Sequence, residues 1–163
     1  MLAYIVCQAI KERNIAMNEH FGSGASITLG EAIQKLRASD ESDMTNKMSA
    51  EITQAFEQHD AVHILFNCDT SIQDEIAAHI WMVFATTAKI SEMHRAVANQ
   101  EHRNVLSGIG HLKLIGIWFV SLPRIIGIIF KSLRMKKRLA IEELSKLKQQ
   151  SIIEIRREHG IVL

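Results

Sequence analysis

Apolar positions fall into helical registers along most of this chain. Leu2, Ile5, Val6, Ala9, Ile10, Ala16 and Met17 share one side of an amphipathic helix over 2–18, with Gln8, Lys11, Glu12 and Asn14 opposite. The stretch 21–26, FGSGAS, reads as a flexible connection. Thr28 and Glu31 have the spacing of a capping box, in which each side chain satisfies the other's backbone N–H. A short helix then turns Leu29, Ala32, Ile33 and Leu36 inward and ends near Ser39. After the acidic turn 40–43, Met44, Met48, Ile52, Ala55 and Phe56 again recur at helical steps. The run 61–66, AVHILF, is either a short strand or the end of that helix, because periodicity does not separate the two at this length.

Thr70 with Gln73, or Ser71 with Asp74, caps the next helix, which is expected to run over 72–106. Ile72, Ile76, Ile80, Val83, Thr87, Ile90, His94 and Val97 form one stripe of it, broadened by Trp81, Phe84 and Ala88. That broadening makes it a candidate second membrane-contacting helix, but Asp74, Glu75 and Lys89 limit its apolar run to about a dozen residues, a length that favours a core helix over a span. Beyond Gly108-Ile-Gly110 comes the densest apolar stretch, 112–130, LKLIGIWFVSLPRIIGIIF, in which twelve of nineteen residues are Leu, Ile, Val or Phe. Its length suits a bilayer span. On the insertion scale those twelve contribute roughly −5 kcal/mol, whereas Arg124 near the middle costs roughly 2.5–3.5 kcal/mol. Gly116, Pro123 and Gly127 take back much of the remainder. The sum is near zero.

The charges in this segment are ordered. Lys113, Gly116, Val120, Arg124, Gly127 and Lys131 recur at helical steps and form one stripe of basic and small residues on an otherwise apolar helix. That pattern suits a bilayer interface, a tilted span with its stripe on sister helices or water, or a helix buried in an assembly. Pro123 is expected to kink or divide the helix. The contact residues expected from the pattern are Leu112, Ile115, Trp118, Phe119, Leu122, Ile126, Ile129 and Phe130, with Lys113, Arg124 and Lys131 as the polar stripe. A basic amphipathic helix is expected over 131–160, opening with the anchor Arg134, Lys136, Lys137 and Arg138 and carrying a Glu142–Lys146 pair.

Composition adds a division to this picture. Residues 1–108 carry 8 Lys+Arg against 14 Asp+Glu, and residues 109–163 carry 11 against 4. The expected organisation is therefore an acidic helical bundle over 1–107 followed by an apolar and then a basic helix over 108–163. A hydrophobic content of 47 % with a single proline makes the fold mainly α, a small bundle with a long C-terminal helical hairpin or arm. A basic flank after an apolar segment favours the cytoplasmic face of a membrane. The same charges would suit nucleic acid or the acidic half of a neighbouring copy. Cys7 and Cys68 form no disulfide framework and read as reduced thiols. The start, MLAYIVCQAI, lacks the basic n-region of a signal peptide.

Candidate chemistry is sparse. His59 and His63 stand four residues apart, with Cys68 and Asp69 behind them, and these are residue types that zinc takes. No second tight pair accompanies them, so they read as exposed histidines at a polar helix end, with no metal and no cofactor expected. Arg95-x6-His102 and Arg13-x6-His20 are similar to the Arg-x4-6-His motif of the HEPN ribonucleases, small helical bundles that dimerise to build their site. That resemblance implies a histidine as acid/base and an arginine steadying the phosphate. The chain has no Gly-rich phosphate loop, no G-x-S-x-G and no HExxH.

The leading expectation is a small, non-enzymatic, membrane-associated and oligomeric helical protein, a pore or permeabilising element or a component of inner-membrane machinery. Lipid and its own copies would be its partners, with no small-molecule substrate. It would sit at the cytoplasmic membrane with both termini facing the cytosol. The alternatives are a subunit of a soluble or virion assembly with 112–130 buried between copies, and third the ribonuclease-like bundle.

Overall fold

The computed structural model describes residues 27–38, 50–69, 71–88 and 111–163. Among them the chain is mainly helical, with α1 (Leu29–Ala38), α2 (Ala50–Leu65), α3 (Ile72–Ala85) and α4 (His111–Leu133). A 3-10 turn (Ile141–Glu143) then leads into α5 (Leu144–Leu147), and α6 (Ile152–His159) follows. The amphipathic helix expected over 2–18, Cys7 and the hinge at Gly108–Gly110 lie outside the described residues.

Local signals account for the starts of these helices. Thr28 Oγ1 accepts from the Glu31 N–H at 3.2 Å, and the Glu31 carboxylate accepts from the Thr28 N–H at 2.9 Å, closing the expected capping box. The Thr28 N–H and hydroxyl, both donating to that carboxylate, hold the Glu31 carboxyl below its ordinary value. Ser71 caps α3 by accepting from the Asp74 N–H at 3.2 Å.

The run 61–66 is not a strand: α2 continues through it to Leu65. Every residue from Ala61 to Phe66 is buried, so this turn has no polar face for periodicity to find. Asn67 ends the helix in the left-handed conformation with φ 52°, and the Cys68 N–H returns to the His63 carbonyl at 2.9 Å. The helix expected over 72–106 stops at Ala85. Thr86 is extended and bridges Leu139 in parallel, while its hydroxyl donates back to the Met82 carbonyl at 2.7 Å. Residues 89–106 lie outside the described set.

The basic helix expected over 131–160 is instead three pieces. An unbroken helix would aim Leu139 and Ile141 about 160° apart. Both are buried here, together with Leu144, Leu147, Ile152, Ile155 and Ile161. The chain meets that demand by leaving the helix after Leu133 and folding back across the bundle. Ser151 and Glu154 form a second complete capping box that starts α6. Glu143 rather than Glu142 pairs with Lys146, at 3.0 Å, and Glu142 accepts from the Thr87 hydroxyl at 2.6 Å. The turn before α6 also receives α1: the N–H groups of Leu29 and Gly30, which have no partner inside their own helix, donate to the Gln150 and Lys148 carbonyls at 3.0 Å. A Cβ on Gly30 would meet that Lys148 oxygen at 3.0 Å, which is why glycine stands there.

One core joins these parts. It contains Leu29 and Ile33 of α1, Val62 and Ile64 of α2, Ala78 and Met82 of α3, Ile128 of α4, Leu139, and Ile152 and Ile155 of α6. Phe66 and Trp81 stack within it with ring centroids 4.2 Å apart.

His159 is buried on α6, with its Nδ1 2.9 Å from the Ile155 carbonyl. Burial lowers its pKa from the ordinary value. A depressed histidine stabilises the fold fully above its unfolded pKa, about 6.5, and that contribution is lost as pH falls toward the folded value. Denaturant titrations at pH 7.5 and 5.0 should therefore show a smaller acid-induced loss of stability in His159→Gln than in the wild type. Equal losses would mean that His159 is not a source of the acid sensitivity.

Candidate functional surface

Helix α4 carries most of the residues expected to make functional contacts, and it presents three faces. Ser121, Ile125, Ile128 and Ser132 form the buried face, and α4 packs chiefly against α3. The serine hydroxyls donate back to the Ile117 and Ile129 carbonyls at 2.8 and 2.7 Å, so they bring no unmet polar group to the contact. Pro123 lies within the helix and does not divide it. The bond that a residue there would have given to the Phe119 carbonyl is missing on the exposed side, where water reaches it.

The second face is apolar and uncovered. Ile115, Phe119, Leu122, Ile126, Phe130 and Leu133 are all exposed, Phe119 by 69 % and Leu133 by 72 %. Their helical steps place them in a sector about 80° wide. Gly116, Pro123, Gly127 and the exposed Val120 extend it by a further uncharged strip. Among the described side chains before Ser121 none is buried, and Ile117 is half-buried. The segment Ile115–Leu133 is long and apolar enough to cross a bilayer, and 24 % of it is buried within the protein. Ile129, expected among the contacts, is half-buried. The side chains of Leu112, Lys113 and Trp118 lie outside the described ones.

The third face is basic. The Arg124 guanidinium, 47 % exposed, pairs with the carboxylate of Asp74 at the start of α3. Its acidic partner thus lies in the same chain. Asp74 is buried and also accepts from the Asp69 N–H at 3.1 Å. Burial raises its pKa, helped by the neighbouring Asp69 and opposed by Arg124. Lys131 is exposed at the end of the row. Arg134, Lys136, Lys137 and Arg138 are exposed in the irregular segment that follows α4, so the expected basic anchor sits at one end of the apolar face. Within it, Lys137 stands 3.7 Å from Glu158 and Lys136 donates to the Arg157 carbonyl at 3.3 Å.

The expected zinc-type residues separate. Cys68 is buried in the core, its thiol pushed up to about 12 by burial and turned to the Phe66 carbonyl, apart from the histidines. Asp69 instead accepts from the Ser71 N–H at 2.6 Å. His59 and His63 are not exposed: His63 is 4 % exposed and His59 is half-buried. Both face Glu75 of α3, and His79, one turn further along, completes the group. The pair Glu75-x3-His79, visible in the sequence as an (i, i+4) spacing, is carried by a different helix and faces them. The arginines and histidines of the HEPN-like spacings, Arg13, His20, Arg95 and His102, lie outside the described residues.

No family model, curated protein or solved structure matches this chain.

Proposed function

We propose that this protein is a non-enzymatic, membrane-associated helical protein that lies on an anionic bilayer through the exposed apolar face of α4. The observation that carries this reading is the contiguous row Ile115, Phe119, Leu122, Ile126, Phe130 and Leu133, uncovered on a helix whose opposite face is packed. A row of this kind is the signature of an interaction surface rather than of scattered exposed residues. An in-plane placement keeps the α3–α4 contact and the Asp74–Arg124 pair intact. A span would strip both and carry the charges into hydrocarbon.

Magnitudes favour anionic lipid. Fully burying a large apolar side chain contributes roughly 1.5–3 kcal/mol, so six partly exposed ones contribute on the order of 5–8 kcal/mol. Association itself costs on the order of 4–15 kcal/mol, enough to cancel that gain. The four basic residues after Leu133 add roughly 1 kcal/mol each near an anionic surface. The long side chain of Lys131, exposed at the edge of the face, reaches headgroups while its stem stays in the apolar layer.

Vesicle flotation tests this directly. The protein should float with phosphatidylserine-containing vesicles and bind pure phosphatidylcholine at least tenfold more weakly. Charging the row with Ile126→Glu and Phe130→Glu should abolish flotation while leaving the helical circular dichroism unchanged, since both side chains are exposed. Flotation that survives those changes would overturn the reading. So would a discrete soluble oligomer that ignores vesicles and is dispersed by Phe130→Glu, which would make the same face an interface between copies.

A further inference from the structure

The polar cluster between α2 and α3 has no place in the membrane reading, and it is built with a regularity that surface histidines lack. His59 and His63 are one turn apart on α2, and Glu75 and His79 are one turn apart on α3. The Glu75 carboxylate splits between the first pair: one oxygen stands 3.4 Å from His59 Nε2 and the other 3.4 Å from His63 Nε2. The ring centroids of His59 and His63 are 4.5 Å apart, and those of His59 and His79 are 5.5 Å apart. One potential ligand atom from each of His59, Glu75 and His79 falls within 4.8 Å of the other two.

We propose that His59, Glu75 and His79 bind one divalent transition-metal ion, zinc by the character of the ligands, and that His63 positions Glu75 for it. Two imidazoles and a carboxylate form a set that zinc takes with a fourth place left for water. One of the three spacings already fits. Two atoms bound to one tetrahedral zinc at roughly 2.0–2.1 Å stand about 3.3 Å apart. The His59–Glu75 separation of 3.4 Å is long for a hydrogen bond but close to that value.

The surroundings fix tautomers in the way metal ligands require. His79 Nδ1 lies 2.6 Å from the carbonyl of Glu75, one turn back, so its Nδ1–H is committed and Nε2 carries the lone pair. His63 Nδ1 lies 3.1 Å from the Cys68 carbonyl, and its Nε2 stands 3.4 Å from the Glu75 oxygen not turned to His59, an ion-pair contact that it makes as an imidazolium. A ligating carboxylate held by a second residue is the usual arrangement around a protein metal. All four side chains stand on packed helices, so the geometry is held by rigid elements rather than by a loop. The neighbouring acid Asp60 is committed elsewhere, accepting from Arg37 Nε at 2.8 Å. Among the described residues the group offers one carboxylate and two imidazoles, so nitrogen-preferring ions are favoured over hard oxygen-seeking ones such as calcium.

The test uses the full chain, stripped with a chelator and titrated with zinc against a chromogenic competitor. It should bind one equivalent, and cobalt in the same position should give the intense visible absorption of a four-coordinate ion. His79→Ala and Glu75→Gln should each weaken zinc binding at least tenfold, and His63→Gln should weaken it 10- to 100-fold, as loss of a positioning partner does. Zinc should raise the melting temperature of the wild type and leave that of His79→Ala unchanged. Should either ligand variant lose its helical circular dichroism, His59→Asn replaces it in the comparison. The proposal is overturned if the stripped wild type takes up no stoichiometric zinc, or if folded variants bind it as tightly as the wild type. Either result would leave the cluster as a carboxylate–imidazole network that joins α2 to α3.

Discussion

Arg156→Leu is expected to lower stability by about 3 kcal/mol, read as a shift of the urea midpoint with an unchanged slope. The guanidinium donates from Nε to the Leu65 carbonyl at 2.9 Å and from Nη2 to the Ile64 carbonyl at 2.8 Å. These carbonyls belong to the last turn of α2, where that of Ile64 also accepts a long bond from the Asn67 N–H at 3.4 Å and that of Leu65 has no partner within the helix. Both residues are buried at the helix end, where water is a poor substitute. A hydrogen bond to a charged group contributes roughly 1.5–3 kcal/mol, and an unmet buried carbonyl adds its own desolvation cost. Leucine keeps much of the apolar stem and removes both donors. Burial lowers the pKa of Arg156, but guanidinium stays protonated at any working pH. Arg156→Lys should recover part of the loss, because a single ammonium does not reproduce the fork. A loss below about 0.5 kcal/mol for the leucine variant, the range of ordinary surface changes, would show that α2 does not depend on this cap.

The adjacent residue should be more sensitive still. Ile155 is fully buried, at 0 % exposure, within the core shared by α1, α2, α3 and α6. Ile155→Ala is expected to cost about 4 kcal/mol, within the range for a large-to-alanine change where surrounding helices cannot close the space. Ile153, two positions back on the same helix, is 48 % exposed. The same truncation there should stay within about 0.5 kcal/mol of the wild type. Thermal and urea unfolding of the two variants side by side separate core packing from any general weakening of α6. Similar losses at both positions would contradict the placement of α6.

Much of this fold is written locally. Thr28-x-x-Glu31 names the start of α1 from a few residues, and of the two caps the sequence offers for α3 the structure closes Ser71-x-x-Asp74. The apolar density of 112–130 likewise forms a single helix, because its register needs no information from elsewhere. What the sequence reading misses depends on packing. The end of α2 is buried all round, so strand and helix leave the same apolar run. The C-terminal segment looked continuous because Lys, Glu and Leu are good helix formers wherever they stand. Yet Ser151-x-x-Glu154 repeats the signature that was read correctly at Thr28, and Gly160 takes up the left-handed conformation at the far end of α6. The break after Ala85 has a quieter cue, the β-branched pair Thr86-Thr87: the first hydroxyl turns back to the Met82 carbonyl of α3 and the second reaches the Leu139 carbonyl across the bundle. The His–Glu cluster was half legible. Each helix shows its own (i, i+4) pair, but only their packing sets the two pairs face to face.

The backbone pairings of Thr28 with Ser151 and of Thr86 with Leu139 tie early segments of the chain to late ones. They give the assembly of this molecule an order in time. Contacts between residues so far apart in sequence form slowly, because a long loop must close before either side gains from it. During synthesis α1 and α3 are complete before residues 139–161 exist, and α4 emerges before the segment that finishes the core it joins. For that interval the chain shows water more greasy surface than the finished protein does. A bilayer or chaperone present then would meet α4 before the core has closed.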